Sequence, residues 1–264
     1  MSHVNELTDA DGNTTAHVNT ILAKILQLDK AGISQIWVFD SPKPNPLKAA
    51  ELADRDRKAY NSNDPKVQFR MKSKHVNDIK KLLTLMGIPW VEAPEGIEAE
   101  QYGAWMTRGE VPASRFCQYM ISGDSDVLAF GGNLLRPYSK LSATGKSKKT
   151  SYQVFELSDI LQETGLSYDS FLEMAVTMGT DFCSKTPMIG VKTVIQKIKD
   201  EAVKFTPQQR KVIEYFKSRP PRSEQDAHFS EYNKTELIDF LVSLKFNEEK
   251  VKERIKDFPK IVNM

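Results

Sequence analysis

Between Thr15 and Ala31 the apolar positions Val18, Ile21, Leu22, Ile25 and Leu28 recur at helical spacing, and Gly32 supplies a stop. The pattern predicts a helix there, after a polar loop over residues 1–15. Gln35–Asp40 (QIWVFD) reads as a buried strand ending in an acid. Pro42–Pro46 (PKPNP) is a stiff connector, and residues 47–60 (LKAAELADRDRKAY) form a charged helix. SNDP at 62–65 marks a turn. A second helix is predicted from Lys66 to Met86, basic at first and apolar later. A strand (Gly87–Glu92), a helix (Ile97–Thr107) and another strand (Cys117–Ser122) follow. Leu134–Tyr138 and Tyr152–Phe155 are also strand-like, and from Ser158 onward the pattern is helical almost throughout. Strands alternating with helices over the first half predict an α/β sheet, flanked by a helical second half. No internal repeat or low-complexity segment interrupts the pattern.

Composition narrows the classes. The chain has 264 residues, 40% hydrophobic and 27% charged, which suits a soluble globular protein. Its 37 basic and 35 acidic residues nearly cancel, so net charge alone announces no nucleic-acid partner, but the two signs are segregated along the chain. Cys117 and Cys183 form no CxxC, and the four His are scattered, which argues against a zinc site. No apolar run approaches transmembrane length, and MSHVNELTDADGNTT has no signal-peptide regions. The expectation is a reducing, intracellular setting with no membrane partner.

Candidate chemistry lies in the acids. Asp124 and Asp126, in ISGDSDVLAF, would share one face of a strand, where like charges repel by roughly 1 kcal/mol in water and about 4 kcal/mol at a protein-like dielectric. Asp40 closes a strand, Glu98 and Glu100 open a helix, and Asp181 follows Gly179-Thr180. Sites in open α/β sheets form at the carboxyl ends of strands. Taken alone, either acidic pair reads as solvated charge or as helix N-terminal acids. Their recurrence at element ends points to a shared cation. Hard oxygen donors without His or Cys favour Mg²⁺, with Mn²⁺ as the alternative. Two such ions suit attack of water on a phosphodiester.

The bases are grouped as well. Lys48 and Arg55, seven apart on a predicted helix, share a face. Lys66, Arg70, Lys72, Lys74, Lys80 and Lys81 lie across the SNDP turn. Two basic helices joined by a turn form either a gate over the acids or a pair of solvated faces. TGKSKKTSY (144–152) is either a phosphate-tracking stretch or a solvated hairpin turn. In SKTPMIGVKTVIQKIK (184–199), Gly190, Lys192 and a helix N-terminus come together as a phosphate-binding arrangement, although many such corners bind nothing.

Four motifs carry a resemblance: WVFD…LKAAELADRDRK, KKLLTLMGIPWVEAPEGIEAEQ, ISGDSDVLAFG and MGTDFCSKTPMIGVKTVIQKI. In that order, over roughly Asp11 to Ile255, the chain resembles the flap endonuclease branch of the structure-specific 5′ nucleases. The resemblance implies a PIN-like, Rossmann-like fold with a mostly parallel central sheet. A helical gateway would occupy about 42–86, and a DNA-binding helix–two-turn–helix about 167–199. It implies a single nuclease domain over 1–264, with an α/β core over 1–157 and a helical part over 158–264. Asp40, Glu98 and Glu100 match carboxylates around a first metal, and Asp124, Asp126 and Asp181 those around a second. Lys48 and Arg55 match the gateway bases that orient and stabilise the scissile phosphate. Arg70, Lys72, Lys74, Gly190 and Lys192 would contact DNA. K⁺ on backbone carbonyls of the helix–two-turn–helix is a further implication, as are cleavage at 5′ flaps, nicks or branched DNA and work at sites of replication or repair, in a nucleus or at a viral replication site.

Departures from the family pattern are visible too. Met188 stands where the family turn has the first glycine of Gly-Ile-Gly. No glutamine-led, paired-aromatic motif for a sliding clamp appears near FPKIVNM. The chain begins beyond the Met-Gly segment and the strand that carries another metal-binding Asp, and Asp9 and Asp11 are not expected to substitute. Two other readings therefore stand beside the flap nuclease: a flap- or junction-binding protein of impaired turnover, and an end-dependent 5′→3′ exonuclease. The uninterrupted spacing from the gateway to LLTLMGIPW argues against a bubble-cutting nuclease.

Overall fold

The computed structural model describes residues 15–62, 71–111, 117–141, 148–220 and 226–259. Its contacts divide the chain into two compact units. One comprises Met1–Trp37, Asp64–Val91 and Ala227–Met264, and the other Val38–Asn63 and Glu92–Asp226.

In the first unit, α1 (Ala16–Lys30) buries Val18, Leu22, Ile25 and Leu28 along one stripe. Gly32 then takes φ +76°, and the Ile33 N–H reaches back to the Leu28 carbonyl at 3.0 Å, closing the helix. The chain leaves this unit for β1 (Trp37–Phe39), a 3₁₀ turn (Pro46–Lys48) and α2 (Ala49–Tyr60). It returns with α3 (Ser73–Leu85), which buries Ile79, Leu82, Leu83 and Leu85. α1 packs on α3, and α3 packs on α10 (Lys234–Ser243), followed by α11 (Glu248–Arg254). Asn233 and Asn247 cap those last two helices through the N–H groups of Glu236 and Lys250. α3 begins at Ser73 rather than Lys66. Met71 and Lys72 are not helical, Lys72 has extended dihedrals, and the side chains of Met71–Lys74 are exposed. Arg70 and residues 63–65 of the SNDP turn fall outside the described residues.

β2 (Trp90–Glu92) pairs with β1. Trp37 N–H donates to the Pro89 carbonyl at 3.0 Å and Ala93 N–H to the Phe39 carbonyl at 2.8 Å, so both strands advance in the same direction.

The second unit holds α4 (Ala99–Thr107), whose residues from Gln101 to Met106 are all buried. A three-stranded sheet follows, built from β3 (Met120–Ile121), β4 (Leu134–Leu141) and β5 (Lys148–Phe155), with β3–β4 parallel and β4–β5 antiparallel. The α/β class stands, with two small sheets among the described residues. Of the basic stretch 144–152, residues 144–147 lie outside the described residues, and Lys148 onward pairs in β5. α5 (Asp126–Ala129) lies between β3 and β4. α6 (Leu157–Thr164), α7 (Tyr168–Met178), α8 (Val194–Lys199) and α9 (Pro207–Phe216) complete the unit. Its core joins Val127, Phe130, Leu172, Val176, Phe182, Val212 and Phe216. Phe130, Phe182, Tyr215 and Phe216 meet edge to face, with ring centroids 4.8 Å apart for Phe130 and Phe216.

Candidate active site

All six carboxylates named above belong to the second unit. Asp40 leaves β1 and accepts the Ala99 N–H at 2.9 Å, so it caps α4 from another segment. Glu98 is the residue before that helix, and Glu100 sits in its first turn. After β3, the Ser122 hydroxyl accepts the Asp124 N–H at 3.0 Å, and the Asp124 carboxylate accepts the Asp126 N–H at 3.0 Å. These two bonds fold Gly123–Ser125 tightly and place Asp126 at the start of α5. Ser122 also lies 3.4 Å from Glu100, linking the two acidic pairs. Asp181 comes from the turn after α7.

Lys48 stands among them. Its ammonium is 2.9 Å from Glu98 and 3.1 Å from Asp181, with the side chain 16% exposed. It also lies 5.2 Å from the centre of the Phe182 ring. Burial pulls Lys48 down, but Glu98 and Asp181 outweigh it and hold the ammonium above its ordinary range. The acids shift the other way. Burial raises Glu98 and Glu100, with Asp40 adding to both. Burial and the charges of Asp124 and Asp181 push Asp126 up to about 7.

The arrangement therefore brings Lys48 and the six acids into one electrostatic group. Arg55 is engaged elsewhere. It pairs with Glu51 at 2.7 Å, one turn back along α2. Lys48 belongs to the 3₁₀ turn that runs directly into α2, where it is the N-cap residue. Lys72 and Lys74 are exposed residues of the first unit, and Arg70 is outside the description. Gly190 and Lys192 are exposed in the turn between α7 and α8.

Sequence reasoning missed two supporting residues. Asn45 accepts the Leu47 N–H at 2.9 Å and donates to the Gly96 carbonyl at 3.0 Å, which fixes the turn carrying Lys48. Asn before Pro-Leu-Lys is a capping signal and was legible. Tyr215 donates to the Gln101 side chain at 2.7 Å, and burial together with the Glu98 charge raises its hydroxyl. Nothing local marks that residue.

Among the described residues, no three acids, imidazoles or thiols stand close enough together to enclose one ion. The acids are joined instead through Lys48 and through hydrogen bonds. The donor set still fits a hard divalent cation. It is all oxygen, and Glu98, Glu100 and Asp126 are held up by burial and mutual repulsion that such a cation would relieve. Burial, with the Asp126 charge adding, pushes the Cys183 thiol above its ordinary range.

An α/β unit with clustered acids at element ends has the construction of a phosphodiester hydrolase. Residues 87–181 match the XPG I-region family model. The chain is 31% identical to flap endonuclease 1 of Leishmania major, over 95% of this chain and 69% of that one. It is 30% identical to flap endonuclease 1 of Homo sapiens, over 96% of this chain and 73% of that one. Among solved structures, flap endonuclease-1 from Methanococcus jannaschii superposes with a TM-score of 0.67 at 24% identity, covering 94% and 82% of the two chains. The catalytic core of Rad2 in complex with DNA substrate gives 0.68 at 19% identity, covering 95% and 86%. The chain belongs to the flap endonuclease family, whose members are metal-dependent nucleases.

Proposed function

We propose that this protein is a structure-specific 5′ nuclease that hydrolyses DNA phosphodiesters at 5′ flaps or nicks. The observation that carries this reading is the gathering of acids from four separate segments around the Lys48 ammonium. Asp40, Glu98 and Glu100 would hold one divalent cation, and Asp124, Asp126 and Asp181 a second. Mg²⁺ suits the all-oxygen donors. When bound, the ions supply an activated water and a counter-charge for phosphate. The chain's own part is positional. The Asp124–Asp126 and Ser122–Asp124 bonds fix the acids' spacing, and Asp40 anchors α4 beneath them. Lys48 is the cation held ready to meet charge building on phosphate. Arg55 could join it only by leaving Glu51. K⁺ on backbone carbonyls of the α7–α8 turn rests on the resemblance alone.

A flap-binding protein without turnover is the second reading. The two Lys48 ion pairs favour it, since they satisfy the acids with an internal cation. Cleavage of 5′-flap DNA with Mg²⁺ decides between them. The expected result is cutting near the junction by the wild type and at least a hundredfold loss for Asp126→Ala, on the scale of losing one essential electrostatic group. Salt-sensitive flap binding with no cutting by the wild type would establish the second reading instead. No helix among the described residues is long and apolar enough to cross a membrane.

A further inference from the structure

Tyr215 of α9 stands where the segments around Lys48 meet. Its hydroxyl donates to Gln101 Oε1 at 2.7 Å, and the Asn45 side chain bonds the same hydroxyl. Gln101 follows Glu100 in α4, and Asn45 caps the 3₁₀ turn that ends at Lys48. The Tyr215 ring packs against Phe182, the neighbour of Asp181, with centroids 5.0 Å apart. One side chain thus touches the support of Lys48, the support of Glu98 and Glu100, and the support of Asp181.

The groups that meet the hydroxyl are themselves held. Gln101 is fully buried, and its amide donates to the Ser218 hydroxyl at 2.8 Å. Asn45 is buried as well, and its other bonds go to the Leu47 N–H and the Gly96 carbonyl. α9 is anchored at its far end, where Gln209 donates to the Thr186 hydroxyl at 2.8 Å and Gln208 to the Phe182 carbonyl at 3.3 Å. A buried polar network whose members are all paired holds one arrangement. Packing does not require the phenol oxygen, since Phe130 and Phe216 fill the same aromatic cluster without one. What the oxygen adds is a tie between two segments. Its loss would leave the buried Gln101 oxygen without that donor.

We propose that Tyr215 is a positioning residue for phosphodiester hydrolysis: its hydroxyl joins the turn carrying Lys48 to the helix carrying Glu98 and Glu100, and so fixes where the ammonium stands among the acids. The inference rests on the nuclease reading. A group that must meet charge building on phosphate loses effect steeply when misplaced, by roughly a hundredfold for about 1 Å. Without the hydroxyl, Lys48 keeps its ion pairs with Glu98 and Asp181 and is loosened rather than released. The loss should therefore be smaller than that for a full misplacement.

The test is a double-variant cycle of Tyr215→Phe and Lys48→Met. It is read by cleavage of 5′-flap DNA with Mg²⁺ and by thermal melting of the metal-free proteins. Tyr215→Phe should lower kcat by about tenfold and leave KM for flap DNA unchanged, because the residue acts through Lys48 and not on the substrate. In the Lys48→Met background the same change should cost less than about twofold. The melting shifts of the two single variants should likewise exceed, in sum, that of the double variant. A tyrosine with a merely structural role would slow both backgrounds equally. If Tyr215→Phe cuts as fast as the wild type, or if the rate losses or the melting shifts add, the positioning role is overturned, and the wild type's own cutting leaves the nuclease reading standing. A wild type that does not cut flap DNA overturns both.

Discussion

The Lys48 ammonium lies 2.9 Å from the Glu98 carboxylate and 3.1 Å from that of Asp181, so one side chain from the turn before α2 neutralises acids of two other segments. Removing it leaves the partly buried Glu98 and Asp181 without their cation. Lys48→Met should cost about 2–3 kcal/mol in metal-free protein, the low side for breaking a buried pair because the site is only partly buried. The variant should bind Mg²⁺ more tightly than the wild type and recover more stability from it, while cutting flaps poorly. Calorimetric melting with and without Mg²⁺ reads both effects. A variant as stable as the wild type without metal would show that the acids do not strain against each other.

Asp126 sets a pH dependence. Its carboxyl is pushed up to about 7 by burial and by Asp124 and Asp181, against an ordinary value of 3.8. The folded state therefore binds the proton more tightly than the unfolded one. That contribution is present while the carboxyl is protonated, and it is lost as pH rises from about 4 through about 7. Its ceiling is about 4 kcal/mol, shared with the neighbouring acids. Metal-free wild type should lose stability across this window relative to Asp126→Asn, and Mg²⁺ should flatten the difference. Parallel pH profiles for the two metal-free proteins would refute the assignment.

Gly179 ends α7 at φ +93°, and a Cβ there would stand 2.9 Å from the Lys185 backbone nitrogen. Both the dihedral and the contact exclude a side chain. Gly179→Ala should destabilise the protein by about 2–4 kcal/mol. It should also shift the turn that carries Asp181, lowering flap cleavage. Denaturant unfolding with a parallel cleavage assay checks this, and an unchanged midpoint would contradict it.

The acidic centre was legible because its chemistry is written locally. Acids two apart, and acids at strand ends, are visible without knowing what packs on what. The α/β alternation and α1 were legible for the same reason, since periodicity is a local signal. What escaped depended on packing. Tyr215 reaches Gln101 from a helix more than a hundred positions away, and the Phe130–Phe182–Phe216 cluster has no signature in sequence. His17 and His75 look scattered along the chain, yet their rings lie 4.6 Å apart and His17 bonds Asp78 at 3.1 Å. Arg55 pairs with Glu51 one turn back along α2, a contact that the grouping of Lys48 with Arg55 by sequence spacing did not anticipate.

The division of the chain has a consequence for synthesis. The first unit is assembled from three stretches, the last beginning at Ala227, whereas the second ends at Asp226. On a ribosome, every residue of the acidic centre has emerged before α10 exists to cover α3. α3 meets α10 only when the final stretch of polypeptide has been made, whereas every segment of the acidic centre precedes it.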